Sequence, residues 1–253
     1  MKYELKDVLA QRKTKTVYVS DDRVIKLFAK DYSKADILNE ALNQARVEEG
    51  TDLNIPALEE VIKLDNRWAL VSCKIEGKSL QDLMDENPEK MEEYLELFVD
   101  IQLEVLSKKV PLLNRIKDKF KRKLVNTTLI ENNTKYELMQ RLEGMKEHDK
   151  LCHGDFNPSN VIITKTGDHY ILDWSHATQG NASADAARTF LILSMEKKDS
   201  LAKSYLELFS KKSNIPVSNI QRWIPIVCAT QLTKGNKEEE EFLRKWIDIA
   251  DYQ

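Results

Sequence analysis

An α+β fold, a small antiparallel sheet followed by a larger and mostly helical region, is the class that the sequence predicts, and three observations predict it. Seven glycines and six prolines in 253 residues fall well below the usual ~12%, and a charged fraction of 32% exceeds the usual quarter, about 25%. Together these suit a helix-rich soluble chain. The first quarter carries β-branched runs around one amphipathic helix, and beyond "EGKS" the apolar spacing changes to threes and fours, with a single hairpin interrupting it.

The elements follow in order. "KTVYVS" and "RVIKLFA", separated by "DD", form one hairpin pattern, and "ALEEVIKLDNRWALVSCKI" repeats it with "DN" as the turn. Between them "SKADILNEALNQARVEEG" predicts a helix: Ser33 and Asp36 form a capping box, Ile37, Leu38, Ala41, Leu42 and Ala45 an apolar stripe, and Gly50 its close. Ser79 caps "SLQDLMDE". In "NPEKMEEYLELFVDIQLEVL", Asn87 is the expected cap, Pro88 takes the first helical position, and Met91, Leu95, Phe98 and Val105 form the apolar side. "NNTKYELMQRLEGM", "ADAARTFLILSM", "DSLAKSYLELFSKK", "NIQRWIPIVCATQL" and "EEEEFLRKWIDIAD" each predict a further helix, and "NVIIT", "KTGD" and "HYILDW" a hairpin. No internal repeat or low-complexity linker is visible.

Charge and composition exclude several classes. A net charge of −3 offers no basic surplus for nucleic acid and no acidic excess that points to a partner. The start, "MKYELKDVLAQRKTKT", lacks a signal-peptide core, and apolar runs such as "FLIL" are far shorter than a membrane span. The expectation is a cytoplasmic protein with no membrane association and no obligatory protein partner. Cys73, Cys152 and Cys228 lie far apart with no Cys-x-x-Cys pair, as fits reduced, mostly buried thiols, so neither a disulfide framework nor a structural zinc is expected.

The chemistry concentrates in "HGDFNPSN", His153 to Asn160, a loop that runs into the hairpin ending at Asp173. That order brings Asp155, Asn160 and Asp173 toward one site, and oxygen ligands of this kind suit Mg²⁺, which otherwise coordinates phosphates and water. Phosphoryl transfer needs metal across the phosphates and an acidic group that orients the attacking hydroxyl.

The set His-x-Asp-x-x-x-x-Asn, followed by a hairpin ending in Asp, resembles the kinase catalytic and metal loops. "HGDFNPSN…ILDW" is similar to the aminoglycoside phosphotransferase and choline kinase family. The resemblance covers most of the chain and implies a two-lobed protein-kinase-like fold, with residues 1–76 as nucleotide-binding lobe and 77–253 as helical lobe carrying the catalytic and metal loops and the acceptor site. It implies Asp155 as the catalytic base and His153 as support for its loop. Asn160 and Asp173 would be the Mg²⁺ ligands, and Lys26, oriented by Glu40, the contact to the α and β phosphates of ATP or GTP. Adenine would lie near residues 70–75, with Cys73 and Ile75 reading it, and Gly77 resembles the small residue at which the chain leaves that hinge. "QGNASADAART" is similar to the family's Gly-x-x-x-x-Asp-x-x-Arg segment, here Gly180, Asp185 and Arg188. Asp185 is equally read as a cap for a helix beginning near Ser183, and Arg188 as its local partner.

The sequence departs from the pattern at the phosphate loop. No glycine precedes Gly50, and "AQRKTKTVY" stands where a glycine-rich turn is expected, so Thr14, Lys15 and Thr16 would substitute hydroxyl and ammonium contacts for close backbone amides. "DWS" replaces Asp-Phe-Gly. Gly154 and Asn157 stand at the Arg and Lys positions of a protein-kinase catalytic loop, and fewer than a dozen residues separate Asp173 from the helix at Ala184, which points to a small-molecule hydroxyl acceptor. Aminoglycosides, choline-like alcohols, sugars and amino-alcohols remain open. The alternative is a catalytically weak or inactive binding module. The run "NKEEEEFLRKW" is read as the solvated first turn of the last helix, with a carboxylate-lined aminoglycoside site as the competing reading, and Trp174, Trp223 and Trp246 as core or wall residues.

Overall fold

The computed structural model describes residues 3–247, so the last four residues of the helix predicted from "EEEEFLRKWIDIAD" lie outside the described residues. Contacts divide the chain into two compact units. One runs to Glu86 and takes in Pro158–His176, and the other holds Asn87–Asn157 and the chain from Ala177 onward.

The first unit is built on a five-stranded antiparallel sheet. Its strands are β1 (Asp7–Gln11), β2 (Lys15–Ser20), β3 (Arg23–Phe28), β4 (Leu58–Leu64) and β5 (Arg67–Cys73), in the order β1-β2-β3-β5-β4. Both predicted hairpins are present. Asp21, Asp65 and Asn66 hold their turns with positive φ, which Asp and Asn tolerate best among non-glycine residues. β1 is an addition to the expected order: its five residues are all exposed, so no alternation of burial marks it in the sequence.

Period-two alternation on β3 decides where the lysine points. Ile25 and Leu27 pack with Leu64, Ala69 and Val71 on one face, while Phe28 packs with Ile37 and Ala41 of the helix α1 (Lys34–Gly50) on the other. Lys26 lies between them in sequence and shares the α1 face. α1 begins as predicted, with the Ser33 hydroxyl accepting from the Asp36 N–H at 3.3 Å. Its buried face is rotated from the expected stripe: Leu38 and Leu42 are exposed, and Glu40 and Asn43 are buried in their stead. The polar pair is inside because it has partners there, described below.

The hairpin of β8 (Val161–Ile163) and β9 (His169–Ile171) belongs to this unit. The Ile171 N–H donates to the Asn54 carbonyl at 3.0 Å, and the Asn54 amide to the His169 carbonyl at 3.1 Å. Lys78–Ser79, the short strand β6, pairs with β8, and Ser79 caps the following α2 (Leu80–Glu86), its hydroxyl accepting from the Asp82 N–H at 3.0 Å. Gly77 is packed so closely against the Ile163 carbonyl that a Cβ would overlap it.

The second unit is mostly helical. A 3-10 turn at Pro88–Lys90 precedes α3 (Met91–Ser107), and Asn87 makes no side-chain cap bond there, unlike the sequence expectation. α4 (Ile116–Asn126) and α5 (Asn132–Gly144) follow, then β7 (Lys150–Cys152), which pairs antiparallel with β10 (Thr178–Gly180). The remaining helices are α6 (Ala182–Met195), α7 (Asp199–Ser213), α8 (Val217–Gln221), α9 (Ile224–Leu232) and α10 (Lys237–Ile247). "NIQRWIPIVCATQL" is thus two helices where one was expected. Pro225, in the first turn of α9, has no N–H to offer the Gln221 carbonyl and its ring crowds that group, so the helix restarts. Every residue of α9 is buried, as befits a helix packed by α4, α6 and α10. Trp223 meets Phe120 edge-on at 6.4 Å and Trp246 meets Phe190 at 5.7 Å, which makes both tryptophans packing residues. Among the described residues no helix is long and apolar enough to cross a membrane.

Candidate active site

In the first unit the Lys26 ammonium lies 2.5 Å from Glu40 Oε1 and 3.3 Å from Asp173 Oδ1. Glu40 is the helix carboxylate that finds the lysine; Asp36 sits at the helix start, and Glu48 accepts the Leu58 N–H at 3.1 Å. Burial works against the Lys26 charge, but Asp173 and Glu40 outweigh it and hold the ammonium above its ordinary range. Burial likewise opposes the Asp173 carboxylate. Lys26 and Lys15 overcome that and hold it far below the usual carboxylate value.

Asp173 is set by its backbone. It takes φ = 59°, a conformation that few non-glycine residues adopt, at the end of β9, just before the 3-10 turn Trp174–His176. Trp174 is buried, its indole donating to the Ile171 carbonyl at 3.1 Å, and the Asn43 amide donates to the Ser175 carbonyl at 3.3 Å. Those contacts explain why Asn43 faces inward on α1. The Asn160 carbonyl accepts the Leu172 N–H at 2.8 Å, which pins Asn160, in the 3-10 turn Pro158–Asn160, beside the residue preceding Asp173.

Asp173 and Asn160 fit the expected metal. Asp173 Oδ1 is buried, ion-paired with Lys26 but without a hydrogen bond, and the donors are a carboxylate and an amide, both oxygen groups that suit Mg²⁺. Among the described residues no cluster of three or more His, Cys, Asp or Glu could hold a metal, so an ion here would complete its shell with phosphate and water.

The glycine-free loop is a tight turn between β1 and β2, closed by the Arg12 N–H on the Lys15 carbonyl at 2.9 Å. The Thr14 carbonyl accepts the Ala29 N–H at 2.9 Å, and Thr16 pairs with Leu27 across the sheet. Lys15 itself reaches the site, its ammonium 3.2 Å from Asp173 Oδ2. At the end of β5 the Cys73 N–H donates to the Ala57 carbonyl and the Lys74 N–H to the Asp22 carbonyl, while the Cys73 thiol donates to Glu59 at 3.2 Å, which raises its pKa. Ile75 follows just beyond.

The second unit holds the loop His153–Asn157. Gly154 has φ = 78°, where glycine carries no Cβ penalty, and its N–H donates to Asp185 Oδ1 at 2.7 Å. Buried His153 accepts the Asp155 N–H on Nδ1 at 3.2 Å. Arg188 reaches the loop twice, through Nε to the Gly154 carbonyl at 3.3 Å and Nη2 to Asp155 Oδ1 at 3.1 Å. The Asn157 amide donates to the Asp155 carbonyl at 2.9 Å, and the Thr189 hydroxyl to the Phe156 carbonyl at 2.9 Å.

Beneath this loop runs a buried polar chain. Tyr205 donates to Gln102 Oε1 at 2.6 Å, and the Gln102 amide donates to Asp185 Oδ2 and the Thr189 hydroxyl, each at 3.1 Å. Burial raises the Asp185 pKa against the lowering pull of Gly154, His153 and Gln102. Asp185 therefore braces the loop and does not cap α6; that cap is Asn181, whose side chain accepts the Ser183 N–H at 2.9 Å. Gln102, Thr189 and Tyr205 were not singled out from the sequence. Their only signal was a polar residue on the apolar face of a predicted helix, clearest at Gln102 on the Phe98–Val105 side.

A family model described as "Phosphotransferase enzyme family" matches residues 8–216. The chain is similar in fold to the aminoglycoside phosphotransferase APH(4)-Ia in a ternary complex with AMP-PNP and hygromycin B, with TM-score 0.73 and 16% identity over 97% of this chain and 93% of that one. It is also similar to the choline kinase LicA from Streptococcus pneumoniae, with TM-score 0.60 and 15% identity over 95% and 91% of the two chains. A GDP complex of an aminoglycoside 2'-phosphotransferase-IIIa mutant aligns with TM-score 0.61 and 14% identity over 97% and 90%. No curated protein matches the sequence. With the model spanning most of its length and a protein-kinase-like fold beneath it, the chain belongs to the phosphotransferase enzyme family.

Proposed function

We propose that this chain is a small-molecule kinase that transfers the γ-phosphate of ATP or GTP to a hydroxyl acceptor. The observation that carries the reading is the ion-paired triple of buried Glu40 with half-buried Lys26 and Asp173, an arrangement that suits nucleotide phosphates and has no evident use in packing alone. Lys26, oriented by Glu40, would hold the α and β phosphates. Bound by Asp173 and Asn160, Mg²⁺ would neutralise phosphate charge. Ile75, past the end of β5, would offer its backbone to the base.

Asp155 would accept the hydrogen bond of the acceptor hydroxyl and take its proton as the oxygen bonds to the γ-phosphorus and the bond to the leaving nucleoside diphosphate breaks. A loose transition state asks little prior deprotonation of it. Relatives bound to AMP-PNP and to GDP support nucleotide use without choosing the base. The second reading, a nucleotide-binding module without turnover, is favoured by one observation, the Lys15 ammonium on Asp173.

Thermal melts with Mg-ATP and Mg-GTP, and diphosphate release with a panel of hydroxyl compounds, separate the two. The kinase reading expects a metal-dependent rise in melting temperature that is lost in Asp173→Asn, and turnover that falls about 10²–10⁴-fold in Asp155→Asn. A nucleotide-induced shift with no release for any acceptor, and no difference in Asp155→Asn, establishes the module instead.

A further inference from the structure

We infer that the acceptor carries an anionic group, a phosphate or carboxylate set apart from the reacting hydroxyl, and that Lys119, Lys123 and Arg188 hold it. The inference rests on the kinase reading above and adds the chemical class of the acceptor.

The groups all lie in the second unit. Lys119 and Lys123 are four residues apart on α4 and so share one side of it. With Arg122, Asn126, Thr127 and Thr233 they line an open cavity of about 460 Å³, within the range of small-molecule sites, roughly 300–1,000 Å³. Three of the six lining residues are cations and none is acidic. Both lysines are half-buried. Burial first, then the charges of Lys123, Lys234 and Arg188, push the Lys119 ammonium down to about 7, with Asp155 pulling the other way. Burial, Lys234 and Arg188 bring Lys123 to about 8. Asp155 is not itself part of the cavity lining, but its charge acts on Lys119 in the cavity wall.

Arg188 does not line the cavity, but its charge acts on both lysines. Its Nη2 holds Asp155, while its Nη1 is buried with no hydrogen-bond partner among the described residues. A buried donor left unmade is costly, and cations gathered closely enough to weaken one another are costly too. An anion held between the two lysines and Arg188 would relieve both costs, whereas a neutral alcohol would relieve neither and a polycation would add to the second. The acidic run of α10 does not reverse the sign. Glu239 accepts from Gln231 and Asn236, Glu240 from Arg244, and Glu241 pairs with Lys245; none of them lines the cavity.

Calorimetric titration of the full chain with inorganic phosphate at low ionic strength tests the wall directly. Phosphate is expected to bind the natural protein, to bind the Lys119→Met/Lys123→Met double variant at least about tenfold more weakly, and to bind unchanged in Lys245→Met, which removes an exposed ammonium paired with Glu241 away from the cavity. Charge-keeping Lys119→Arg/Lys123→Arg should retain binding. Should the double methionine variant fail to fold, Lys123→Met alone carries the test with a smaller loss in the same direction. Equal binding to natural and double-variant protein, an equal loss in Lys245→Met, or no binding to the natural protein overturns the inference. So does transfer to hygromycin B in preference to glycerol 3-phosphate when diphosphate release is followed. Failure of the kinase reading looks different: Asp155→Asn would keep its turnover while the phosphate titrations stayed as expected.

Discussion

Replacement of Asp185 by alanine isolates what the buried polar chain contributes. Asp185 is 1% exposed and accepts the Gly154 N–H at 2.7 Å and the Gln102 amide at 3.1 Å. Alanine strands both donors, at about 1–3 kcal/mol each, and removes a carboxylate whose own burial was unfavourable, so the net loss should be about 3 kcal/mol. At about 2–4 °C per kcal/mol for a chain of this size the melting temperature should fall by about 6–12 °C. Asp185→Asn keeps an acceptor for Gly154 and should lose only about 1 kcal/mol. Because the fold raises the Asp185 pKa, its contribution is fully present below the ordinary carboxylate value and fades as pH rises through the folded value; the asparagine variant should lack that dependence. Urea unfolding followed by circular dichroism, across pH, reads all three quantities. A loss below about 1 kcal/mol for alanine, or an equal loss for asparagine and alanine, would refute the assignment of Asp185 as the brace of the loop His153–Asn157.

Gly77→Ala should cost about 1–3 kcal/mol in the same unfolding assay, because the new methyl group overlaps the Ile163 carbonyl; an unchanged midpoint would show that β6 yields without cost. Asp173 titrates far below its ordinary value, so its stabilising contribution is present above about pH 4 and is lost as pH falls. The stability gap between the natural protein and Asp173→Asn should accordingly narrow in acid, and a gap that widens there would contradict the lysine pairing.

Much of this was legible in the sequence because it obeys local rules. Both N-terminal hairpins carry acidic or amide turn residues that accept positive φ, and α1 is announced by Ser33. The α+β class follows from that order, and the protein-kinase-like fold is what the family resemblance of "HGDFNPSN" implies. What escaped has physical reasons. β1 buries no side chain, so it leaves no alternation. α4 buries only Ile116, Phe120 and Leu124, set among six charged residues, a stripe too thin to stand out, and with α4 went the cationic wall. Leu38 and Leu42 were read as core because apolar periodicity cannot foresee that Glu40 and Asn43 hold the inner face through tertiary partners. Lys15 was visible as a substitute for glycine, but its reach to Asp173 depends on the fold.

On the kinase reading proposed above, that reach has a consequence for how the site would meet a nucleotide. Lys15 and Lys26 bring two positive charges, Glu40 and Asp173 two negative ones, so the local sum is zero before anything binds. A loop of glycine amides waits with its dipoles unspent, whereas this site has already spent its charge on itself. An incoming triphosphate therefore gains only the difference between new ion pairs and old ones. Selectivity then depends on exchange: a metal-bound nucleotide, which brings a cation for Asp173 and an anion for Lys15 together, replaces both halves of the pair at once, while bare phosphate or bare metal replaces only one.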